Sequence, residues 1–247
     1  MLKAVQNLKK PLEPRGEFKQ SRLILGTATF GMAYGATNRR GEMALEEIKG
    51  LLDQCQEKGI TQLDTAQAYG RAEEKLGKAG VTDFSITTKI VLQPEENAKA
   101  IYPKVIQSME RLGVDNIGNL LVHNEERMAQ HDAGDVAEQL HLLVERRLVG
   151  RVGLSSYDPA QSLELCLRHG LQVVQLPVNA LDRRLLQKGL LDKFLAKGIE
   201  VHARSVFFQG LLLEEPCQEG RISKEVLDHV ARFREGCRNE EIGRAHV

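Results

Sequence analysis

From Arg22 onward the chain alternates between two patterns of hydrophobic and polar positions. Short runs rich in apolar and β-branched residues end in polar or glycine-bearing loops, and longer segments with apolar positions three and four apart follow them. The first pattern predicts strands over Arg22–Thr29, Thr61–Ala66, Phe84–Ile90, Ile117–His123, Arg151–Tyr157, Val173–Val178 and Ile199–Val206. The second predicts helices over Ala44–Lys58, Ala98–Leu112, Asp135–Leu148, Pro159–Arg168, Arg184–Lys197 and Ser223–Arg234. In the first of these, Ile48, Leu51, Leu52 and Cys55 recur on one helical face. Gly59, Gly113, Gly150, Gly170 and Gly198 each stand just before a strand, where a left-handed helix cap is expected.

Strand–helix alternation without hairpins calls for parallel strands joined by helical crossovers. An open doubly wound sheet and a closed barrel both satisfy it. No G-x-G-x-x-G follows the first strand, as an open dinucleotide-binding sheet would usually show. Seven units spaced by about 30 residues fall one short of eight. The predicted fold is therefore α/β: a (β/α)8 TIM barrel, incomplete, with about seven βα units. Residues 1–21 are polar and carry Pro11, Pro14 and a basic excess, and are expected to form a flexible arm.

Composition narrows the function. Thirty-four basic residues balance thirty-four acidic ones in a 247-residue chain, which excludes an electrostatic nucleic-acid binder. No run approaches ~18 consecutive apolar residues, so no membrane span is predicted, and a cytoplasmic protein is expected. Cys55, Cys166, Cys217 and Cys237 are widely spaced and form no C-x-x-C, so they read as reduced thiols packed as small hydrophobes.

The carboxyl ends of parallel barrel strands face one shared mouth. In order they carry Asp64, Tyr69 in the loop that follows it, Lys89 and His123. Each has a bland reading: a helix cap, a packing aromatic, an exposed strand end, a loop histidine. Together, at the ends of three consecutive strands, they form a coherent set. A lysine ammonium beside a phenol stabilises the phenolate and lowers a pKa that is ordinarily ~10. A carboxylate keeps that lysine charged, and an imidazole can hold a carbonyl oxygen. These parts can protonate an oxygen that becomes negative as hydride reaches its carbon, and no side chain supplies the hydride.

The segment Asp64-Thr65-Ala66-Gln67-Ala68-Tyr69-Gly70 resembles the D-T-A-x-x-Y-G signature of the aldo-keto reductases, NADP-dependent oxidoreductases. Thr88-Lys89-Ile90 and Leu121-Val122-His123-Asn124 are similar to that family's lysine and histidine strand ends. Gly26-Thr27-Ala28-Thr29-Phe30-Gly31, Gly153-Leu154-Ser155-Ser156-Tyr157 and Val206-Phe207-Phe208-Gln209-Gly210-Leu211-Leu212 match its first, fifth and seventh strand regions in order. The resemblance implies a barrel over 22–238 that reduces an aldehyde or ketone with NADP(H), NAD(H) being the other donor it would admit. Tyr69 would be the general acid, Lys89 and Asp64 would lower its pKa, and His123 would orient the substrate carbonyl. Gly26 and Thr27 would line the cofactor site, and Ser155, Ser156 and Gln175 would hold the nicotinamide carboxamide. Ser156 replaces the family's asparagine. Ser205, Phe207 and Gln209 would lie along the pyrophosphate. Arg204 stands where the family often places an aromatic ring.

The resemblance also implies an eighth strand and helix, before which this chain is expected to be truncated. Its last six residues, Ile242-Gly243-Arg244-Ala245-His246-Val247, are what the bases ATCGGAAGAGCACACGTC encode, a stretch resembling sequencing-library adapter; the tail 239–247 is expected to be an artefact. The small-molecule carbonyl substrate and the oligomeric state are not specified by the sequence. Two other classes compete: a weakly active or inactive cofactor-binding regulatory subunit on the same fold, and a metal hydrolase built on Asp64, His123 and His202. The second lacks H-x-H and H-E-x-x-H spacing, and no metal is expected.

Overall fold

A computed structural model of the chain describes residues 21–216 and 222–239. The predicted arm up to residue 20, Cys217 and the tail from 240 lie outside the described residues.

Seven strands line up in chain order in one parallel sheet: β1 (Leu25–Gly26), β2 (Gln62–Asp64), β3 (Ser85–Ile90), β4 (Ile117–Val122), β5 (Val149–Ser155), β6 (Val173–Pro177) and β7 (Glu200–Arg204). Among the described residues eight α-helices accompany them: α1 (Ala28–Gly31), α2 (Leu45–Glu57), α3 (Ala72–Ala79), α4 (Ile101–Leu112), α5 (Ala133–Glu145), α6 (Pro159–His169), α7 (Leu190–Ala196) and α8 (Lys224–Asn239). The sheet curls into an incomplete (β/α)8 barrel, and among the described residues β1 and β7 pair with no further strand.

The register brings the chemistry to one rim. Asp64 pairs with Thr87 and with Gly26, Lys89 with Leu121, and Ser155 with Gln175. All seven strands run the same way, so every carboxyl end reaches that rim.

The helices attach through apolar faces. On α4, Ile101, Val105, Ser108 and Leu112 are buried, a spacing of four, three and four residues that keeps one stripe on the sheet. One core cluster joins α4 to α7 with β3 to β7, and includes Val152, Leu140 and Phe194. A second packs α2 and α3 against the first strands through Ile48, Leu63 and Leu76. Each fully buried side chain of this size contributes about 1.5–3 kcal/mol. Cys55 and Cys166 lie buried in the apolar interior as free thiols, and burial pushes the Cys166 thiol up to about 12.

Three sequence expectations need correction. The first strand is two residues long, because the chain turns into α1 at Ala28. The helix α3 was not predicted: its apolar stripe is only Ala72, Leu76 and Ala79, set among Glu73, Glu74, Lys75 and Lys78. Gly150 is not a helix cap. It lies inside β5, where an added Cβ would stand 2.7 Å from the Gly118 carbonyl oxygen, and Arg147 takes the left-handed position (φ 58°) instead. Gly59, Gly113, Gly170 and Gly198 do have positive φ at their helix ends.

Candidate active site

The loop between β2 and α3 carries Tyr69, and several bonds fix it. Thr65 N–H donates to the Thr87 carbonyl at 2.8 Å, and Gln67 N–H to the Lys89 carbonyl at 3.0 Å, extending the β2–β3 pairing past the end of the strand. The Gln67 side chain donates to the Lys104 carbonyl and to Ser108 Oγ on α4. On the other side two glycines let the chain close up. A Cβ on Gly31 would lie 2.0 Å from the Tyr69 carbonyl oxygen, and one on Gly70 (φ 57°) would lie 2.3 Å from the Gly31 oxygen. No larger residue fits either place without moving the Tyr69 backbone.

Lys89, fully buried, is the centre of the site. Its Nζ donates to Asp64 Oδ1 and Oδ2 at 2.9 and 2.8 Å, to the Thr65 carbonyl at 2.9 Å and to Tyr69 Oη at 3.2 Å. A buried ammonium is costly unless it is paired and hydrogen-bonded, and here its donors are met. Thr88, the preceding residue, donates to buried Glu73, which also binds Arg111, so α3 and α4 brace the strand from behind.

His123 follows β4 and meets Tyr69 edge to face, with ring centroids 6.0 Å apart and an interplanar angle of 82°. Burial, then the Lys89 charge, lower its pKa to about 4, against a smaller opposing effect of Asp64. The imidazole is therefore neutral at pH 7 and keeps one N–H to donate.

Asp64, Tyr69 and His123 open onto a cavity of about 800 Å³. Of the cofactor residues named from the sequence, Gly26, Thr27, Ser155, Gln175, Ser205, Phe207 and Gln209 line it. Thr27 is pinned by donating both its N–H and its hydroxyl to the Asp64 carbonyl. Gln175 donates to Asp64 Oδ1 at 2.7 Å and lies within 3.5 Å of Ser155 Oγ. Ser156 stands apart: its Oγ accepts from Ser162 Oγ at 2.6 Å and from Asp158 N–H at 3.2 Å, turned into the start of α6. After β7, Ser205, Phe208 and Gln209 all have positive φ, between 49° and 56°. Such left-handed backbone in non-glycine residues is uncommon and gathers at functional sites. Ala36 N–H donates to the Gln209 carbonyl, tying the loop after β1 to the loop after β7.

The cavity also includes residues that sequence reasoning missed as site candidates: Tyr34, Glu125 and Tyr157. Tyr157 ends the Gly153–Tyr157 segment matched above, whereas no local motif marks Tyr34 or Glu125. Burial, followed by the neighbouring tyrosines, holds the Tyr34 phenol above its usual range. His202, the third residue of the metal alternative, lies inside β7 and contacts Glu200 at 2.7 Å. Among the described residues no three His, Cys, Asp or Glu side chains converge as metal ligands, and no helix is long and apolar enough to cross a membrane.

Comparison with known proteins agrees with this geometry. The profile of the Aldo/keto reductase family matches residues 22–245. Among solved structures, the chain is similar to a Pseudomonas aeruginosa protein assigned as an aldo-keto reductase, at 27% identity and TM-score 0.65, over 81% of this chain and 78% of that one. It shares its fold with an aldo-keto reductase of Bacillus halodurans in its holo form (23% identity, TM-score 0.69, covering 87% and 72% of the two chains). The same holds for a glycerol dehydrogenase of Gluconobacter oxydans (20%, 0.65, 92% and 77%). No curated protein sequence matches significantly.

Proposed function

We propose that this chain, which belongs to the aldo/keto reductase family, reduces an aldehyde or ketone to the alcohol with Tyr69 as general acid and a nicotinamide dinucleotide as hydride donor. The observation that carries the reading is the buried Lys89 ammonium, bound at once to the Asp64 carboxylate and the Tyr69 hydroxyl.

The residues present fit such a cofactor. Ser155 and Gln175 offer a hydroxyl and an amide beside the catalytic group, and the left-handed turn after β7 lines the same cavity further out. Ser155 and Gln175 would hold the carboxamide, Gly26 and Thr27 would form the floor, and Ser205, Phe207 and Gln209 would follow the pyrophosphate. The Ser156 hydroxyl, turned into α6, would have to leave its present partners to take part. The family resemblance favours NADPH; NADH meets the same contacts. When bound, a dihydronicotinamide would supply hydride chemistry at the carbonyl carbon.

The chain does the rest. The Tyr69 hydroxyl and the neutral His123 imidazole hold the carbonyl oxygen between them, so that its lone pairs accept both donors. As the carbon gains hydride, the C=O electron pair moves onto oxygen, and that oxygen takes the phenolic proton of Tyr69. Lys89 stabilises the phenolate left behind, and Asp64 balances the lysine charge. Water returns the proton to Tyr69 after release of the alcohol. The substrate is a small-molecule carbonyl compound.

The test is oxidation of NADPH by the purified chain with a simple aldehyde, followed through the dihydronicotinamide absorbance. Tyr69→Phe should slow turnover by about 10²–10⁴ while leaving the dissociation constant for the nucleotide unchanged. Retention of most of the rate by that variant would refute the mechanism. The turned-away Ser156 and the presence of Arg204 favour one second reading, a cofactor-binding subunit without useful catalysis. Nucleotide binding with no turnover of any simple aldehyde would select it.

A further inference from the structure

Arg204 ends β7 and lines the same cavity as Tyr69, His123, Ser155 and Gln175. Its register partner is Pro177, and that of His202 is Gln175. Alternate residues of a strand share one face, so Arg204 lies one step above the Gln175 layer, toward the mouth. Its contacts there are with neutral groups. One terminal nitrogen donates to the Ser156 carbonyl at 3.0 Å, the other reaches Ser205 Oγ at 3.4 Å, and the guanidinium carbon stands 4.2 Å from the centre of the Tyr157 ring. Nε is buried with no hydrogen-bond partner.

Among the described residues Arg204 forms no salt bridge, although carboxylates are near. Asp182 is already bound by Arg184 at 2.7 Å, and Asp64 by Lys89. Glu125 and Glu126 line the cavity too, but the Glu125 carboxyl accepts from the Tyr157 N–H, and neither carboxyl comes within salt-bridge distance of the Arg204 guanidinium. Arg204 thus presents a full positive charge to a partly enclosed pocket. That charge reaches the reacting zone, since it adds to the effects that keep His123 neutral.

The hydride donor must lie within contact distance of a carbonyl held by Tyr69 and His123, and the Gln175–Arg204 side forms a wall of that space. The two redox states of a nicotinamide ring differ by one charge: the dihydro form is neutral and the oxidised form is a cation. A fixed guanidinium that no carboxylate contacts directly repels the cation more than the neutral ring, and low local dielectric strengthens the difference. We infer that Arg204 makes this site select the redox state of its nucleotide, favouring the dihydronicotinamide over the nicotinamidium and so biasing the protein toward carbonyl reduction. The inference rests on the cofactor reading above.

Isothermal titration calorimetry of the full chain with NADPH and with NADP+ tests it without any turnover. The wild-type protein should bind NADPH more tightly than NADP+, and Arg204→Met should shrink that preference on the order of tenfold, chiefly by tightening NADP+. Arg204→Lys, which keeps the charge, should preserve most of the preference. If Arg204→Met binds neither nucleotide, Arg204→Gln, which can still donate to the Ser156 carbonyl, decides by the same ratio. An unchanged ratio in the neutral variants, with both nucleotides bound, overturns the inference and leaves the reductase reading intact. Failure of the wild-type chain to bind either nucleotide overturns both.

Discussion

Gln175 on β6 donates its side-chain amide to Oδ1 of Asp64 on β2, at 2.7 Å, across the inside of the barrel. The same carboxylate receives both of its Lys89 contacts from the neighbouring strand, so three strands converge on one acidic group. A glutamine named from the sequence only as a cofactor contact therefore also holds the Asp64 carboxylate in place.

Replacing Gln175 with leucine should expose this double duty. The variant loses a nearly buried hydrogen bond to a charged group, worth about 1.5–3 kcal/mol, and should bind nucleotide less tightly as well as turn over more slowly. Titration of the variant with NADPH, beside its kcat, checks this. A change in kcat with unaltered nucleotide affinity would leave Gln175 its positioning role and remove its cofactor role.

Lys89 and Asp64 form a pair in which the ammonium is fully buried and the carboxylate nearly so. Removing one member should cost more than removing both. Lys89→Met is expected to destabilise the chain by about 3–5 kcal/mol by stranding Asp64, and the double variant Lys89→Met with Asp64→Leu should recover part of that. Urea unfolding midpoints of the three proteins decide; equal losses in single and double variants would contradict the pairing account.

The lowered pKa of His123 has a definite sign in stability. The folded protein holds the imidazole neutral down to about pH 4, whereas the unfolded chain takes up the proton near the ordinary value of 6.5. Between those values the unfolded state binds more protons, so stability rises with pH through that window and is lost as pH falls through it. His123→Gln should flatten this part of the profile, as read from urea midpoints at several pH values between 4 and 7. Parallel wild-type and variant profiles would count against a buried neutral histidine.

Gly31 tests how tightly the Tyr69 loop is held. Alanine there meets backbone rather than a movable side chain, so the Tyr69 loop must shift. Gly31→Ala is expected to cost about 1–3 kcal/mol of stability and to lower kcat more than it raises KM, because the hydroxyl is misplaced while the cavity persists. A variant with normal kcat would show that the loop adjusts freely.

Much of this was legible in the sequence, for reasons that differ by element. The strands from β3 to β6 were readable because runs of apolar and β-branched residues in parallel strands are buried on both faces. The four residues Asp64, Tyr69, Lys89 and His123 were readable because barrel topology sends every strand end to one rim, so local spacing carried long-range information. The α3 helix was not readable, since beside its few apolar residues it is held by buried Glu73 bound to Thr88 and Arg111, partners 15 and 38 residues away. The same limit hid the Gln175–Asp64 bond, which spans 111 residues. At Gly150 glycine serves the close approach of β5 to β4, and a glycine before a strand looks the same in either use.

The saturation of Lys89 has a consequence for proton traffic. Its three N–H bonds are committed to Asp64, Thr65 and Tyr69, and no part of the side chain meets solvent. The lysine can steady a charge but has no path by which to refill it from water. Under the proposed mechanism a spent Tyr69 would instead be recharged from the mouth, the face that substrate and nucleotide would cover. Proton uptake would thereby be timed to departure: the site would reset only once the alcohol had gone.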